Sequence, residues 1–332
     1  MSARVGVMQP MSAAQFEAAG GDGVPYLEAV REGLYSYGLP LPGVLPHFTL
    51  SYLVLDTAGG VHIIDPGWDS DDNWHSLGTA LSDIGRRADD ITSVTVTHLH
   101  PDHLGMAERV RAASGAPVAL HRLEQDGIRE LTTPIPDAVP LAQFADWGVP
   151  ADRHPELLDA VHRRGAWTSF TADRLLEDGD VLDIPGRELR VLHTPGHTTG
   201  HIAIVDVPDA LLFTGDLLLP NQFPGIGLGG TPSGNPIEHY LGSLELAARY
   251  DDHEALPGHG YRFTGIAERC TETAAHHERR TAEVTALRGD AGSVWSVASG
   301  LTWTAGWQNL RGLQLLSALA QTALHMQRAE AR

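Results

Sequence analysis

The chain has 332 residues, a formal net charge of −19 and no lysine, so every basic side chain other than histidine is an arginine. A Schiff-base lysine and a phosphate-loop lysine are therefore excluded, and an acidic surface disfavours non-specific nucleic-acid binding. A single cysteine, Cys270, rules out an internal disulfide framework, and no run approaches the roughly 18 apolar residues of a membrane span.

Residues 1–23 lack the charged start and apolar stretch of a secretory signal, which makes the cytoplasm the expected compartment. The length suits one large domain, or one with a small appendage. Residues 1–45 read as an N-terminal arm with a short helix near Tyr26 to Leu34, ending in the turn-rich Gly38-Leu-Pro-Leu-Pro-Gly43. Strand signals begin at Phe48 to Leu55 and Val61 to Ile64, joined by the hairpin connection Asp56-Thr-Ala-Gly-Gly60. Trp74, Leu77, Leu81 and Ile84 have helical spacing, and Ile91 to Thr97 reads as the next strand.

That strand runs into His98-Leu-His100-Pro-Asp102-His103, four metal-ligand side chains within six residues. Imidazole and carboxylate together suit zinc or another first-row divalent metal. Pro101 fits the first position of a helix, so His98 and His100 leave the strand end while Asp102 and His103 occupy the first turn. Pro117 to Leu120 is a further strand. Residues 121–175 form a less regular insert containing Trp147, Trp167 and a helix over Pro155 to Arg164; it reads as a lid or substrate wall.

Hairpin strands resume at Val181 to Ile184 with Leu189 to Leu192, then Ile202 to Val205 with Leu211 to Thr214. Single candidate ligands sit in glycine-containing turns: His197 in Thr194-Pro-Gly-His-Thr, Asp216 in Phe213-Thr-Gly-Asp, and His259 in Pro257-Gly-His-Gly. Leu217 to Asn235 is a Gly- and Pro-rich loop, Ile237 to Tyr250 a helix, and Ala255-Leu256 leads into the last ligand turn. The catalytic domain is thus placed at 46–265. Helical patterns over Ile266 to Leu287 and Val294 to Leu319 define a small subdomain at 266–332.

A lone histidine carries little information here, since thirteen of the 18 histidines lie outside the seven candidates. The ordered set of four segments carries the weight, and seven ligands are enough for two ions. Spacing alone would let His193 or His201 compete with His197.

This set resembles the metallo-β-lactamase-fold hydrolase superfamily, over about Thr49 to Tyr261. The resemblance implies an α+β fold: a four-layer αββα sandwich with its metals at one sheet edge, carrying here the small helical C-terminal subdomain. It implies that His98, His100 and His197 bind a first metal, that Asp102, His103 and His259 bind a second, and that Asp216 bridges both. Asp65, in Ile64-Asp-Pro-Gly67, resembles the family aspartate that supports a ligand imidazole. The bridging aspartate makes the set similar to glyoxalase II and lactonases. Ala275-His-His-Glu-Arg-Arg280 and the Trp-bearing helices after it resemble a winged-helix-like C-terminal domain found on some members, one of which cleaves RNA.

The function so implied is a dinuclear metal-dependent hydrolase, with two Zn2+ per chain (Fe or Mn as substitutes) sharing a bridging hydroxide. Asp102 and Asp216 are its catalytic carboxylates and its substrate a small acyl thioester or ester. The alternatives are a metal-dependent endoribonuclease or phosphodiesterase, a lactonase, and a mononuclear iron persulfide-type oxygenase. A lactonase Tyr three residues after the bridging Asp is replaced by Leu219. The persulfide relatives leave the second site empty, whereas Asp102, His103 and His259 are present. Expected partners are a small acyl substrate and, as a further option, a second copy of the chain, with neither nucleic acid nor membrane. Asn221, Gln222, Phe223 and Tyr240 are candidate substrate contacts, while His121 and His239 read as structural or surface residues.

Overall fold

The computed structural model describes residues 8–43, 46–164, 169–289 and 292–331; Trp167 lies outside them. The chain enters through strand β1 (Gln9–Pro10) and helix α1 (Ala13–Ala19) and then builds a seven-stranded sheet. In spatial order this is β2 (Glu28–Arg31), β3 (Leu34–Pro40), β4 (Phe48–Leu55), β5 (Val61–Ile64), β6 (Ile91–Thr95), β7 (Val118–His121) and β8 (Arg174–Leu176). Pairing is antiparallel from β2 to β5 and parallel from β5 to β8. A six-stranded sheet faces it, made of β1, β13 (Phe263–Thr264), β12 (Glu254–Pro257), β11 (Leu211–Gly215), β10 (Ile202–Asp206) and β9 (Leu189–His193).

Alternation along the strands sorts side chains into layers, because successive Cβ atoms point to opposite faces. Leu50, Tyr52 and Val54 of β4 meet Ile202 and Ile204 of β10 between the sheets, where Phe213 and Leu256 also pack. Leu53 and Ile63 turn the other way, onto Leu77 and Leu81 of α2 (Asp71–Asp83) and Val110 of α4 (Ala107–Ser114). On the far side Ala203 and Val205 meet Ile237, Tyr240 and Leu244 of α8 (Pro236–Ala247) and Cys270 of α9 (Ile266–Arg288). The result is the four-layer αββα sandwich.

The N-terminal segment departs from expectation. In place of an arm with a helix near Tyr26 to Leu34, it supplies β2 and β3, and the helix lies earlier, at α1. The alternation in β3 is disguised by two small residues. Ser36 is buried against Gln15, whose Nε2 donates to its hydroxyl at 2.9 Å, and Gly38 packs beneath Val24 and Pro25. The hairpin expected at Val181 to Ile184 reduces to an isolated bridge between Val181 and Arg190.

The insert is helical: α5 (Arg122–Thr132), α6 (Ala138–Asp146) and α7 (His154–Arg164). Phe144 and Leu157 from α6 and α7 share one core with Val294 of α10 (Val294–Gly300) and with Leu315 and Leu319 of α11 (Gly312–Glu330). Insert and C-terminal helices are thus packed together, with Trp147, Trp295 and Trp307 around that core. Among the described residues after Thr264 there is no strand, so the likeness to a winged helix is confined to its helices. No helix among the described residues is long and apolar enough to cross a membrane.

Candidate metal centre

Strand β6 delivers the first ligands. It ends at Thr95, and Pro101 opens α3 (Pro101–Leu104), so the backbone turns sharply between His98 and His103. His197, Asp216 and His259 arrive from the loops that follow β9, β11 and β12. His98, His100 and His197 come together as one trio and Asp102, His103 and His259 as another; His98, His103 and Asp216 form a third group. In each group the candidate ligand atoms lie within 4.8 Å of one another.

Every ligand imidazole has its outward nitrogen committed to an acceptor. His100 Nε2 donates to Leu228 O at 3.3 Å, His197 Nδ1 to Gly225 O at 2.7 Å and His259 Nδ1 to Phe48 O at 2.8 Å. His103 Nδ1 donates to Asp65 Oδ2 at 2.8 Å. His98 Nδ1 lies 3.1 Å from the Thr97 hydroxyl, which itself donates to Asp65 Oδ2 at 2.8 Å and so accepts from the imidazole. In its neutral form each imidazole carries one proton, on this outward nitrogen, which leaves the inward nitrogen free to act as a ligand.

Those inward nitrogens face one another. His98 Nε2 is 2.9 Å and His197 Nε2 is 3.1 Å from His100 Nδ1, while His103 Nε2 is 3.4 Å from His259 Nε2. Asp216 lies between the trios, with Oδ2 3.5 Å from His197 Nε2 and Oδ1 3.5 Å from both His103 Nε2 and His259 Nε2. Its Oδ1 is buried without a hydrogen-bond partner. A buried anionic oxygen without a hydrogen-bond partner, among convergent imidazole nitrogens, is costly unless a cation lies between them. The donor set therefore fits divalent metal.

Electrostatics divides the two halves. Burial, reinforced by the neighbouring imidazoles, holds His98 well below the usual histidine range; burial and His197 push His100 down to about 3. Burial acts on His103 too, but the carboxylates of Asp65, Asp216 and Asp102 outweigh it and raise the imidazole to about 10. Burial would raise Asp102, yet His103, His259 and His100 keep its carboxyl well below the ordinary carboxylate range. The Asp102 side chain is 24% exposed against 10% for Asp216, so the centre opens to solvent past Asp102.

The backbone around the centre is shaped for close approach. Asp65 adopts φ 56°, a region that non-glycine residues seldom occupy. Its carboxylate also accepts from Thr97 N at 2.7 Å, tying the end of β5 to the segment that follows β6. Gly258 has to be glycine, because a Cβ there would stand 2.5 Å from His103 Cε1 and 2.7 Å from Asp216 Oδ1.

His201 lies beneath the centre, as expected for a packing residue: Asp216 N donates to its Nε2 at 3.1 Å, and its Nδ1 meets the Thr194 hydroxyl at 2.8 Å. His193 pairs through Nε2 with Thr199 O and stacks on His121, their centroids 4.4 Å apart. Tyr240 is a correction. It is fully buried, and its hydroxyl donates to Leu217 O at 2.7 Å, so it is a core residue with no proton to offer a substrate. Phe223 is 40% exposed and stacks on His276 at 4.0 Å with the Arg269 guanidinium at its ring. Arg269 also donates to Leu219 O and Gln222 O, which fixes this loop, while Asn221 is exposed beside Gly260. Cys270 is buried, and burial pushes its thiol up to about 12, which makes it inert at neutral pH.

Glu124 was missed by the sequence reading. This fully buried residue of α5 accepts from Leu99 N and Gly200 N, each at 2.6 Å. One carboxylate thereby fastens the His98–His100 segment to the loop carrying His197. Burial raises its carboxyl to about 7, against the pull of both amides.

Residues 44–259 match the profile of the metallo-beta-lactamase superfamily, and the chain belongs to that superfamily. It is 26% identical over 243 residues to a beta-lactamase hydrolase-like protein of Agrobacterium fabrum, covering 70% of this chain and 49% of that protein. A hydroxyacylglutathione hydrolase of Pseudomonas putida is 28% identical over 204 residues, covering 60% of each chain. The chain thus spans about half to three-fifths of these relatives' lengths. A metallo-beta-lactamase family protein of Thermus thermophilus superposes with a TM-score of 0.75 at 28% identity, covering 91% of this chain and 95% of that one.

Proposed function

We propose that the chain is a dinuclear zinc hydrolase of a small acyl thioester or ester. The observation that carries this reading is the convergence of five inward imidazole nitrogens and two carboxylates into two trios joined by Asp216. The thioester preference is drawn from the likeness to hydroxyacylglutathione hydrolases. When bound, a divalent pair lowers the pKa of water to about 7 and polarises a carbonyl oxygen.

The chain's own residues do the rest. Asp65 and Thr97 fix the tautomers of His103 and His98, and the carbonyls of Leu228, Gly225 and Phe48 fix those of His100, His197 and His259. Asp216 supplies an anion to both halves. Asp102, ionised and at the mouth, orients the attacking water beside His259, whose Nε2 is 3.2 Å from its Oδ2. The full second trio favours two ions over a single iron. The partner so read is a small molecule, with nucleic acid disfavoured by the net charge of −19.

The test is metal analysis together with a panel of thioesters, esters, lactones, phosphodiesters and β-lactams. Two zinc ions per chain and chelator-sensitive thioester or ester turnover are expected. One iron per chain, or turnover of phosphodiesters alone, would overturn the reading.

A further inference from the structure

The C-terminal helices enclose a cavity whose lining contains no ligand of the metal centre. It has a volume of about 220 Å3 and lies between α9, α11 and the backbone of residues 223–225, with Leu301 and Trp303 closing one side. It backs onto the outward side of His197, whose Nδ1 donates to Gly225 O. At about 30 Å3 for each water, the space equals that of about seven waters, enough for a head group on a short or cyclic hydrocarbon. Phe223, 40% exposed, marks the side on which it meets solvent.

His277 of α9 belongs to this wall. It is 3% exposed, and neither of its ring nitrogens has a hydrogen-bond partner. Burial, followed by His276, His325, Arg328 and Arg280, pushes the imidazole down to about 3, so at neutral pH the ring is uncharged. One N–H and one lone pair are then left unpaired in the interior, which is costly. The neighbouring rings do not relieve them: Tyr240 and His276 stand edge-on at 5.3 and 5.1 Å, and His325 stacks at 6.1 Å. The Tyr240 hydroxyl is spent on Leu217 O, and His325 Nδ1 pairs with the Thr281 hydroxyl. His276, His277 and His325 do not converge into a trio like those of the metal centre, so the arrangement does not suit a cation.

Charge selects the occupant. On a chain of net charge −19, none of the described residues lining the cavity is an aspartate or a glutamate. Arg280 is the permanent cation of the lining. It donates to Glu283 Oε2 at 3.1 Å and to Thr302 O at 2.8 Å, with its guanidinium over the Trp303 ring. The Glu283 side chain is 55% exposed, so solvent screens that pair and leaves much of the arginine charge unspent. Arg328, behind His325, is instead paired with Glu238 and Glu278. One cation calls for one negative charge, and Leu301 and Trp303 call for hydrocarbon beside it. We propose that this cavity is a binding site for a small organic monocarboxylate, separate from the metal centre, with Arg280 meeting the charge and Leu301 and Trp303 the hydrocarbon. A hydrogen bond to a charged group is worth about tenfold or more in affinity.

Calorimetry of the zinc-loaded protein with acetate, pentanoate, benzoate and inorganic phosphate tests this in wild type, His277→Phe, Arg280→Gln and Ser317→Phe. His277→Phe removes both unpaired nitrogens with little change of shape, so its thermal unfolding midpoint should not fall. Ser317 is half-buried in the α11 wall, and a phenyl ring there fills the space from its edge. A carboxylate held by the zinc ions would bind all four proteins alike, so the variants isolate the cavity.

Wild type should bind pentanoate or benzoate about tenfold or more tightly than each variant does, and more tightly than it binds acetate or phosphate. Affinity kept in any of the three variants, or no heat from any carboxylate in wild type, would overturn the assignment and leave the cavity to water. Phosphate bound as tightly as pentanoate and benzoate would overturn the organic class of the ligand.

Discussion

Asp65 Oδ2 accepts the Nδ1 proton of His103 at 2.8 Å, from a backbone conformation at φ 56° that most residues avoid. Holding a non-glycine residue there costs on the order of 1–3 kcal/mol. The same carboxylate accepts from Thr97 N and from the Thr97 hydroxyl, so the strain is offset by three hydrogen bonds that also aim His103 Nε2 inward. Asp65→Asn keeps the shape but turns one acceptor into a donor. Zinc affinity at the second trio should fall by about 10- to 100-fold while the first trio is weakened less. Competition with a chromophoric chelator measures both equivalents; two unchanged constants would remove Asp65 from this role.

His103 also sets the pH dependence of metal uptake. Burial opposes its protonation, but Asp65, Asp216 and Asp102 raise it to about 10 in the metal-free protein. Below that value a metal has to displace a proton, so affinity at the second trio should drop about tenfold for each pH unit lowered from 8 to 6. The first trio should respond less, because burial already holds His98 and His100 deprotonated in that range. Calorimetry in buffers of different ionisation enthalpy should find about one proton released with the second zinc. Release of none would contradict the charge arrangement.

Much of the site was legible because its ligands cluster at a strand end or stand beside glycines in short turns. Asp65 was legible for the same reason, in Ile64-Asp-Pro-Gly67. Glu124 was not, since a glutamate in the first turn of a helix resembles a solvated residue, and its partners lie 25 and 76 positions away. Tyr240 misled in the opposite direction: its hydroxyl is spent on a carbonyl 23 residues earlier. In the fold, Ser36 and Gly38 masked β3, and the shared core of Phe144 and Leu319 joins segments that no local period connects.

Glu124 links the site to stability. Its folded carboxyl is raised by burial to about 7 from the ordinary 4.5. A raised carboxyl contributes stability that is fully present below 4.5 and is lost as pH rises through about 7. Glu124→Gln does not titrate. Wild type should therefore lose stability relative to the variant between pH 4.5 and 8, by on the order of 3 kcal/mol. Urea unfolding of the metal-free proteins across that range reads the difference, and parallel curves would exclude it. Glu124→Ala goes further by leaving two buried amides unpaired, at about 1–3 kcal/mol each.

Gly258 offers the most local test of the centre. A methyl at this position would stand 2.5 Å from His103 Cε1 and 2.7 Å from Asp216 Oδ1, and neither neighbour is free to retreat. His103 is held from behind by Asp65, and the Asp216 backbone N–H is tied to His201 Nε2. Leu50 N donates to Gly258 O at 2.7 Å, which fixes the loop itself. Relief has to come from displacing the Asp216 carboxylate, which faces both trios. Gly258→Ala should therefore reduce hydrolysis by at least 100-fold, since misplacing reacting groups by about 1 Å is costly on that scale. It should also lower zinc content below two per chain. The metal-free variant should still fold, with a loss of about 1–3 kcal/mol from overpacking. Activity and zinc content equal to wild type would mean that the bridge between the trios is dispensable.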